Sequence, residues 1–382
     1  MHWRSPRSWK GSRYWCPDRI LRTVSRPFPF DLNIERASTL PARLYTVPVV
    51  LALEEERVFG RTWQLVGHTS SVQADGQFFT TNLAGHSIVI VRDGQTLRGF
   101  HNVCLHRAGP VATGCGQRKT MQCKYHGWTY GLDGALRNTP GMDDARNFSA
   151  DEMRLVPIQV DAWGPLGFAN LDLKAPPLAH FLDDLVSMVN FDPAVSYTCL
   201  DRREYQVACN WKVYVDNYLE GYHIPVVHPA LHKELDAAKY RVEPRRYYSI
   251  QHAPLRGAAA ADADRLYAPD AAHDAAQYYW LFPNMMLNVY FGQLQTNLVV
   301  PRGVDHTTVV FEWFALEQSV DPESDEWARR VAFSEMVQEE DREICEAVHH
   351  NLHSRVYDRG RYAPRFEQGV HHFHALLHEF LS

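Results

Sequence analysis

The sequence predicts an α+β protein of two domains: a small β-rich domain, then a larger one in which an antiparallel sheet is covered by helices. Three observations predict it. The chain has 382 residues, which favours two or more cores over one. From Trp63 to about Leu136 it runs in short apolar segments broken by turn residues. Its second half mixes strand-like runs with stretches of helical periodicity. The expected organisation is a leader and N-terminal segment at 1–44, a β-rich domain at 45–160 and an α+β domain at 161–382.

The elements follow in order. Pro48 to Phe59 reads as a short helix with proline in its first turn. Ser87 to Val91 is a strand of mostly β-branched residues, Asp93-Gly94 is the hairpin turn after it, and Leu97 to Val103 is the returning strand. Trp128 to Tyr130 followed by Asp133-Gly134 repeats that pattern. In the second half, Asp201 to Ala208 reads as a strand and Asn210 to Glu220 as a helix. Pro254 to Gln277, rich in Ala and Asp and poorly patterned, reads as an inserted loop. Leu287 to Tyr290, Leu298 to Val300 and Thr307 to Leu316 read as strands, and Asp325 to about Ser354 as a long amphipathic helix.

Composition narrows the function. Apolar residues make up 45% of the chain, ample for burial, and the net charge of -6 argues against a nucleic-acid binder. Seven cysteines, an odd number in a long chain, do not form a disulfide scaffold, so a reducing, cytoplasmic setting is expected. No apolar stretch of about 18 residues exists, so no transmembrane helix is expected. The first 30 residues carry Arg4, Arg7, Lys10, Arg13, Arg19, Arg22 and Arg26 against one acid, Asp18. Such a start can mark organelle import. Pro6, Pro17, Pro27 and Pro29 would interrupt the helix an import signal needs, so the expectation is a disordered or mis-started leader.

Two constellations carry chemistry. Cys104-x-His106 is followed, after sixteen residues, by Cys123-x-x-His126. Turn-rich segments flank each pair, so two short loops can bring two thiolates and two imidazoles to one point. A Rieske 2Fe–2S centre takes two Cys on one iron and two His on the other. Neutral imidazoles make such a cluster less negative, which raises its potential to roughly -150 to +300 mV. Structural zinc also accepts two Cys and two His, but zinc fingers usually pair like with like, and here each half supplies one of each. Cys115, between Gly114 and Gly116, reads as an ordinary thiol.

These residues resemble the two cluster boxes of Rieske oxygenase α subunits: Cys104-Leu105-His106-Arg107-Ala108-Gly109 and Cys123-Lys124-Tyr125-His126-Gly127-Trp128. The resemblance implies that the β-rich domain holds the cluster and that the second domain holds a mononuclear Fe(II).

The second constellation lies in that second domain. His223 and His228 are five apart, so they do not share one face of a regular helix, and Pro225 between them ends the helix near His223. Val337, Ile344 and Val348 form an apolar stripe at helical spacing, and Asp341 falls within it. A carboxylate buried there needs a cation, either a metal or an Arg or Lys partner. His223, His228 and Asp341 would make the facial triad of non-haem iron oxygenases, which leaves positions open for O2 and substrate.

The resemblance extends over roughly residues 45–380, through Asn210-Trp211-Lys212, the Asp216 to His223 segment and Glu339-Glu340-Asp341. It implies that Glu220, three before the first histidine ligand, links the iron to a Rieske histidine of the neighbouring subunit in a ring-shaped homotrimer. Asn217 lies three before Glu220, so a helix would put both on one face; there it either faces the iron or has a capping or solvent role. The chain has no Gly-rich dinucleotide fingerprint, so electrons would come from an external NAD(P)H-dependent reductase, with or without a ferredoxin. His374 and His378 at helical spacing read as peripheral residues of an amphipathic terminal helix, as do His349, His350 and His353 nearby.

The Asp216 to His223 segment is most similar to family members acting on choline and betaines. It implies hydroxylation or demethylation of a small quaternary or tertiary amine. Tyr278, Tyr279, Trp280, Phe282, Tyr290 and Phe291 are then candidates for an aromatic cage around a cation. The alternatives are ring hydroxylation of an aromatic acid, a Rieske-type electron carrier without oxygenase activity and a zinc-stabilised binding module.

Overall fold

The computed structural model describes residues 28–189, 191, 197, 199–256, 275–290, 293–315 and 321–382. The first sheet grows around β3 (His86–Asp93), where Ile88 to Val91 are all buried. Strand side chains alternate, so this run feeds two cores: Val89 and Val91 pack in one cluster, Ile88 and Ile90 in another. The turn at Gly94, with φ 57°, folds β3 onto β4 (Thr96–His101), and Asp93 pairs with Thr96. The remaining strands are β1 (Gln64–His68), β2 (Gln77–Leu83), β5 (Cys115–Gln117), β9 (Pro157–Trp163) and β10 (Leu166–Asn170), in the order β1-β10-β9-β4-β3-β2-β5. A small sheet of β6 (Thr120–Gln122), β7 (Thr129–Gly131) and β8 (Leu136–Asn138) sits beside it.

The first sheet runs past the expected limit at 160, because a turn at Gly164 returns the chain as β10, which pairs with both β9 and β1.

The second sheet has the order β11-β17-β16-β15-β14-β13-β12, antiparallel throughout. Its strands are β11 (Cys199–Val207), β12 (Arg241–Pro244), β13 (Tyr248–Pro254), β14 (Ala275–Leu281), β15 (Met285–Tyr290), β16 (Gln293–Gly303) and β17 (His306–Ala315). This is the helix-covered antiparallel sheet the sequence predicts. The expected loop at 254–277 is shorter at its end, because Ala275, Ala276 and Gln277 pair with β13 as part of β14. Its centre, residues 257–274, lies outside the described residues.

Five helices matter for the site: α1 (Pro48–Glu54), α2 (Trp211–Tyr218), α3 (Ile224–Val227), α4 (Asp325–Leu352) and α5 (Gln368–Leu381). Past Glu54, α1 continues as one π-helical turn to Phe59. Asn210 caps α2, accepting from the Lys212 backbone N–H at 3.2 Å. Trp211 to Val215 are buried in succession, so α2 is covered on every side, as a helix inside a large core must be. Ser324 caps α4, accepting from Trp327 N, and Asp325 and Glu326 in the first turn favour its dipole. None of the described helices is long and apolar enough to cross a membrane.

The leader expectation changes where it meets the core. Residues 1–27 lie outside the described residues, but Phe28 is buried against His378 and Phe30 stacks on His371 at 4.8 Å. The N-terminal segment is therefore packed from Phe28 onward. Burial of its aromatic rings offsets the entropy of ordering it.

Candidate metal centres and cavity

The Cys104 and Cys123 loops are built alike. Cys104 N bonds Gly109 O at 2.8 Å and Ala108 N bonds Cys104 O at 2.9 Å; Cys123 N bonds Trp128 O at 2.9 Å and Gly127 N bonds Cys123 O at 3.0 Å. Ala108 and Gly127 take the left-handed conformation that closes each loop, with φ 59° and 76°. A Cβ added to Gly109 would lie 2.8 Å from Cys123 Sγ, so the close approach of the two loops requires glycine there. Both thiols are buried. The imidazoles lie further out: His106 is half-buried, His126 is exposed, and their ring centroids are 4.6 Å apart. His106 stacks on Trp128 at 4.8 Å, and its Nδ1 is buried without a hydrogen-bond partner. A buried lone pair without a donor fits a metal ligand. The Tyr130 hydroxyl lies 3.4 Å from Cys104 Sγ and accepts from Leu105 N at 3.1 Å. Burial first, then the neighbouring Cys104, raises the pKa of Tyr130, so it stays a neutral donor toward the sulfur.

The second site lies where α2, α3 and α4 meet. The helix expected to reach Glu220 stops at Tyr218, because the chain turns at Gly221 against the Tyr240 ring. A Cβ on Gly221 would come 2.8 Å from that ring. Glu220 closes the turn: Oε2 accepts from the backbone N–H of Tyr222 and His223, and Oε1 accepts from His223 Nδ1 at 2.6 Å. His228 follows α3 and is buried, with Nδ1 2.7 Å from Glu340 Oε2.

An ionised carboxylate only accepts, so each Nδ1 carries a hydrogen and each Nε2 is left with a lone pair. Both Nε2 atoms approach Asp341 Oδ1, at 3.0 Å from His228 and 3.7 Å from His223. The ligand atoms of all three residues lie within 4.8 Å of one another. Two lone pairs and a carboxylate oxygen this close repel unless a proton or a metal cation lies among them. Burial opposes charge on His228, but Asp341 and Glu340 more than offset it and raise its pKa. The donor set and its outer carboxylates match a non-haem iron site with oriented ligands. Asn217 Nδ2 donates to Asp341 Oδ1 at 2.5 Å, so Asn217 and Glu220 both reach the site although only Asn217 is helical.

The apolar stripe on α4 differs from expectation. Ile344 and Val348 are 37% and 43% exposed, while the buried positions are Trp327, Val331, Gln338, Cys345 and His349. Packing against α2 selects that neighbouring face and leaves Asp341 at its edge. Two of the histidines expected at the periphery are buried. His374 bonds Asp216 at 2.9 Å and Tyr362 at 2.6 Å, and His349 bonds Asp305 at 2.9 Å.

A cavity of about 120 Å³ adjoins the triad. Its aromatic lining includes Tyr218, Tyr240 and Tyr278 beside Phe311, Trp313 and Trp327. Of the described members of the expected cage, only Tyr278 lines it. Tyr279 points to the other side of β14 by strand alternation, and Trp280 is covered by Phe373 of α5 at 5.3 Å. Phe282 is buried beyond the strand, the Tyr290 side chain is not described, and Phe291 lies outside the described residues. The sequence reading missed Glu340, Tyr218 and Tyr240, each brought to the site by tertiary contacts.

Two ligand sets of these kinds in one chain define a Rieske-type non-haem iron oxygenase. Residues 62–149 match the model of the Rieske 2Fe–2S domain, and residues 196–382 match that of the ring-hydroxylating α-subunit catalytic domain. Choline monooxygenase of Arabidopsis thaliana is 38% identical over 97% of this chain and 89% of its own. The carnitine monooxygenase oxygenase subunit of Escherichia coli is 31% identical over 94% and 97%. A quaternary ammonium Rieske monooxygenase superposes with TM-score 0.81 over 94% of this chain and 100% of its own, at 24% identity. Naphthalene 1,2-dioxygenase from Rhodococcus gives 0.73 over 90% and 94%, at 18%. The chain belongs to the family of Rieske oxygenase α subunits. It is an oxidoreductase with a 2Fe–2S cluster, a mononuclear iron and an external source of electrons.

Proposed function

We propose that this chain is the terminal oxygenase component of a Rieske system and hydroxylates a carbon next to nitrogen in a small quaternary or tertiary amine. The observation that carries this reading is the placement of Tyr218, Tyr240 and Tyr278 in the cavity that also holds His223, His228 and Asp341. Each ring face attracts a cation by about 0.5–2 kcal/mol once water is displaced. The choline and carnitine monooxygenases, similar over nearly the whole chain, act on cations of this class.

Cys104, His106, Cys123 and His126 are assigned to the cluster, and His223, His228 and Asp341 to the mononuclear iron. When bound, the iron supplies a site for O2 activation and the cluster supplies electrons one at a time. Glu220 and Glu340 hold the two imidazoles by Nδ1 so that each Nε2 meets Asp341. Asn217 fixes the Asp341 carboxylate. The tyrosines keep a methyl or methylene carbon toward the ligands by gripping the adjoining ammonium. One C–H becomes C–OH, the second oxygen atom leaves as water, and NAD(P)H supplies both electrons through a reductase, with or without a ferredoxin.

A homotrimer belongs to this reading. A groove on the outer side of Glu220 is lined by Ile344, Val348 and Tyr357, all partly exposed and apolar, which suits docking of a neighbour's cluster domain. A cytoplasmic setting is part of it too, although the plant relatives are chloroplastic.

Incubation with reductase, NADH and a panel of amines and aromatic acids tests the reading. Oxygen uptake coupled to formaldehyde release or an aldehyde hydrate is expected with amines. Coupling only to an oxygenated aromatic ring overturns it in favour of ring hydroxylation.

A further inference from the structure

We propose that Asp305, His349 and His353 form a further metal site, which takes a divalent transition ion such as zinc reversibly. Like those of His223, His228 and Asp341, their ligand atoms all lie within 4.8 Å of one another. The site shares no residue with the two ligand sets above and does not depend on the amine reading.

Two elements build it. His349 stands in the last turn of α4, and His353 caps that helix four residues on, the spacing at which two helical histidines can share one ion. Asp305 comes from the turn between β16 and β17. Its Oδ1 is 2.9 Å from His349 Nε2 and 3.4 Å from His353 Nε2. Tetrahedral zinc with bonds of about 2.0–2.1 Å holds its ligand atoms about 3.3 Å apart, so both distances are already near the bound geometry. The two rings stand 5.2 Å apart at 87°, which lets each aim a nitrogen at a common point. The C-terminal end of α4 favours a cation there as well. His349 is buried, while the side chains of Asp305 and His353 are 58% and 49% exposed, so the site has one fixed ligand and two that meet an ion arriving from water.

Hydrogen bonding sets how tightly the ion is held. Without metal, one hydrogen on His349 Nε2 satisfies Asp305, and His353 Nε2 stays beyond normal hydrogen-bond length. The other nitrogen of His349, Nδ1, accepts from the Asn210 backbone N–H at 3.4 Å. A neutral imidazole has one lone pair, so a metal on Nε2 moves the hydrogen to Nδ1 and gives up that long bond. At the triad, Glu220 and Glu340 already accept from the Nδ1 atoms. The Asp305 site lacks such outer carboxylates and is therefore the weaker of the two, suited to an exchangeable ion.

The test dialyses the oxygenase anaerobically against zinc, with cluster and mononuclear iron in place, and counts zinc and iron in the same sample. About one zinc per chain is expected with the iron content unchanged. His353→Ala should weaken zinc binding at least about tenfold, the loss that even an outer partner of a ligand brings. His350→Ala removes an adjacent exposed histidine outside the set and should leave zinc binding unchanged. Melting gives a second readout: zinc should raise Tm in the wild type and in His350→Ala, and raise it less in His353→Ala. No zinc uptake, equal uptake by the wild type and His353→Ala, or zinc that enters only as iron leaves overturns the site.

Discussion

Glu340 Oε2 stands 2.7 Å from His228 Nδ1, and on the opposite side of the same ring Nε2 stands 3.0 Å from Asp341 Oδ1. Adjacent residues of α4 thus grip one imidazole from both ends. Glu340 fixes the tautomer and orientation, and Asp341 shares the metal position under the proposed assignment.

That arrangement makes Glu340 a positioning residue. Glu340→Gln should weaken retention of the mononuclear iron by about 10–100-fold, while the visible spectrum of the cluster stays unchanged. Equilibrium dialysis against an iron chelator measures it. Wild-type iron retention in the variant would contradict the role.

Asp341→Ala should lose the mononuclear iron outright and keep the cluster, because one ligand set flanks α3 and lies on α4 while the other lies in two loops of the first β-rich domain. Loss of both spectroscopic signals together would mean that Asp341 is needed for folding instead.

Glu220→Gln, measured on protein loaded with mononuclear iron, should slow electron passage from cluster to iron, with iron retention weakened as in Glu340→Gln. Glu220 holds His223 by Nδ1 and also lines the groove where a neighbour's cluster domain would dock. Single-turnover kinetics of the reduced variant would show cluster oxidation lagging behind the wild type. Oxidation at the wild-type rate refutes the bridging role.

Lys212 Nζ and Glu54 Oε1 form an ion pair at 2.7 Å with side chains 1% and 0% exposed. Burial is the leading influence on both, raising the Glu54 pKa and lowering that of Lys212. Trp211 Nε1 also donates to Glu54, at 2.8 Å. Removing one partner strands a buried charge, so Lys212→Met should destabilise the protein by about 3–5 kcal/mol. Adding Glu54→Gln should recover most of that loss in a double-mutant cycle. Additive losses would contradict the pairing.

Much of the site was legible in the sequence, and the exceptions have physical causes. The Cys-x-His and Cys-x-x-His boxes are local loops whose spacing alone sets what they can hold. His223 and His228 came from the family resemblance together with Asp341, since five-residue spacing alone does not select a metal pair. Pro225, expected to end a helix near His223, instead lies in the first turn of α3, and the preceding helix already stops at Tyr218. The cavity lining was not legible from the aromatic cluster at 278–282, because strand alternation turns Tyr279 away and α5 covers Trp280. Tyr218 and Tyr240, which do line the cavity, come from α2 and from the segment before β12. His374 read as peripheral because helical periodicity gives a face but not what packs on it. Here Asp216, Tyr45 and Tyr362 surround it.

Metal analysis of the anaerobically reconstituted protein tests the central claim most directly. Two ligand sets of these types predict about three irons per chain, two giving the Rieske EPR signal and one mononuclear. Zinc in place of iron, or two irons and a persistently unfilled His223, His228 and Asp341 set, would contradict it.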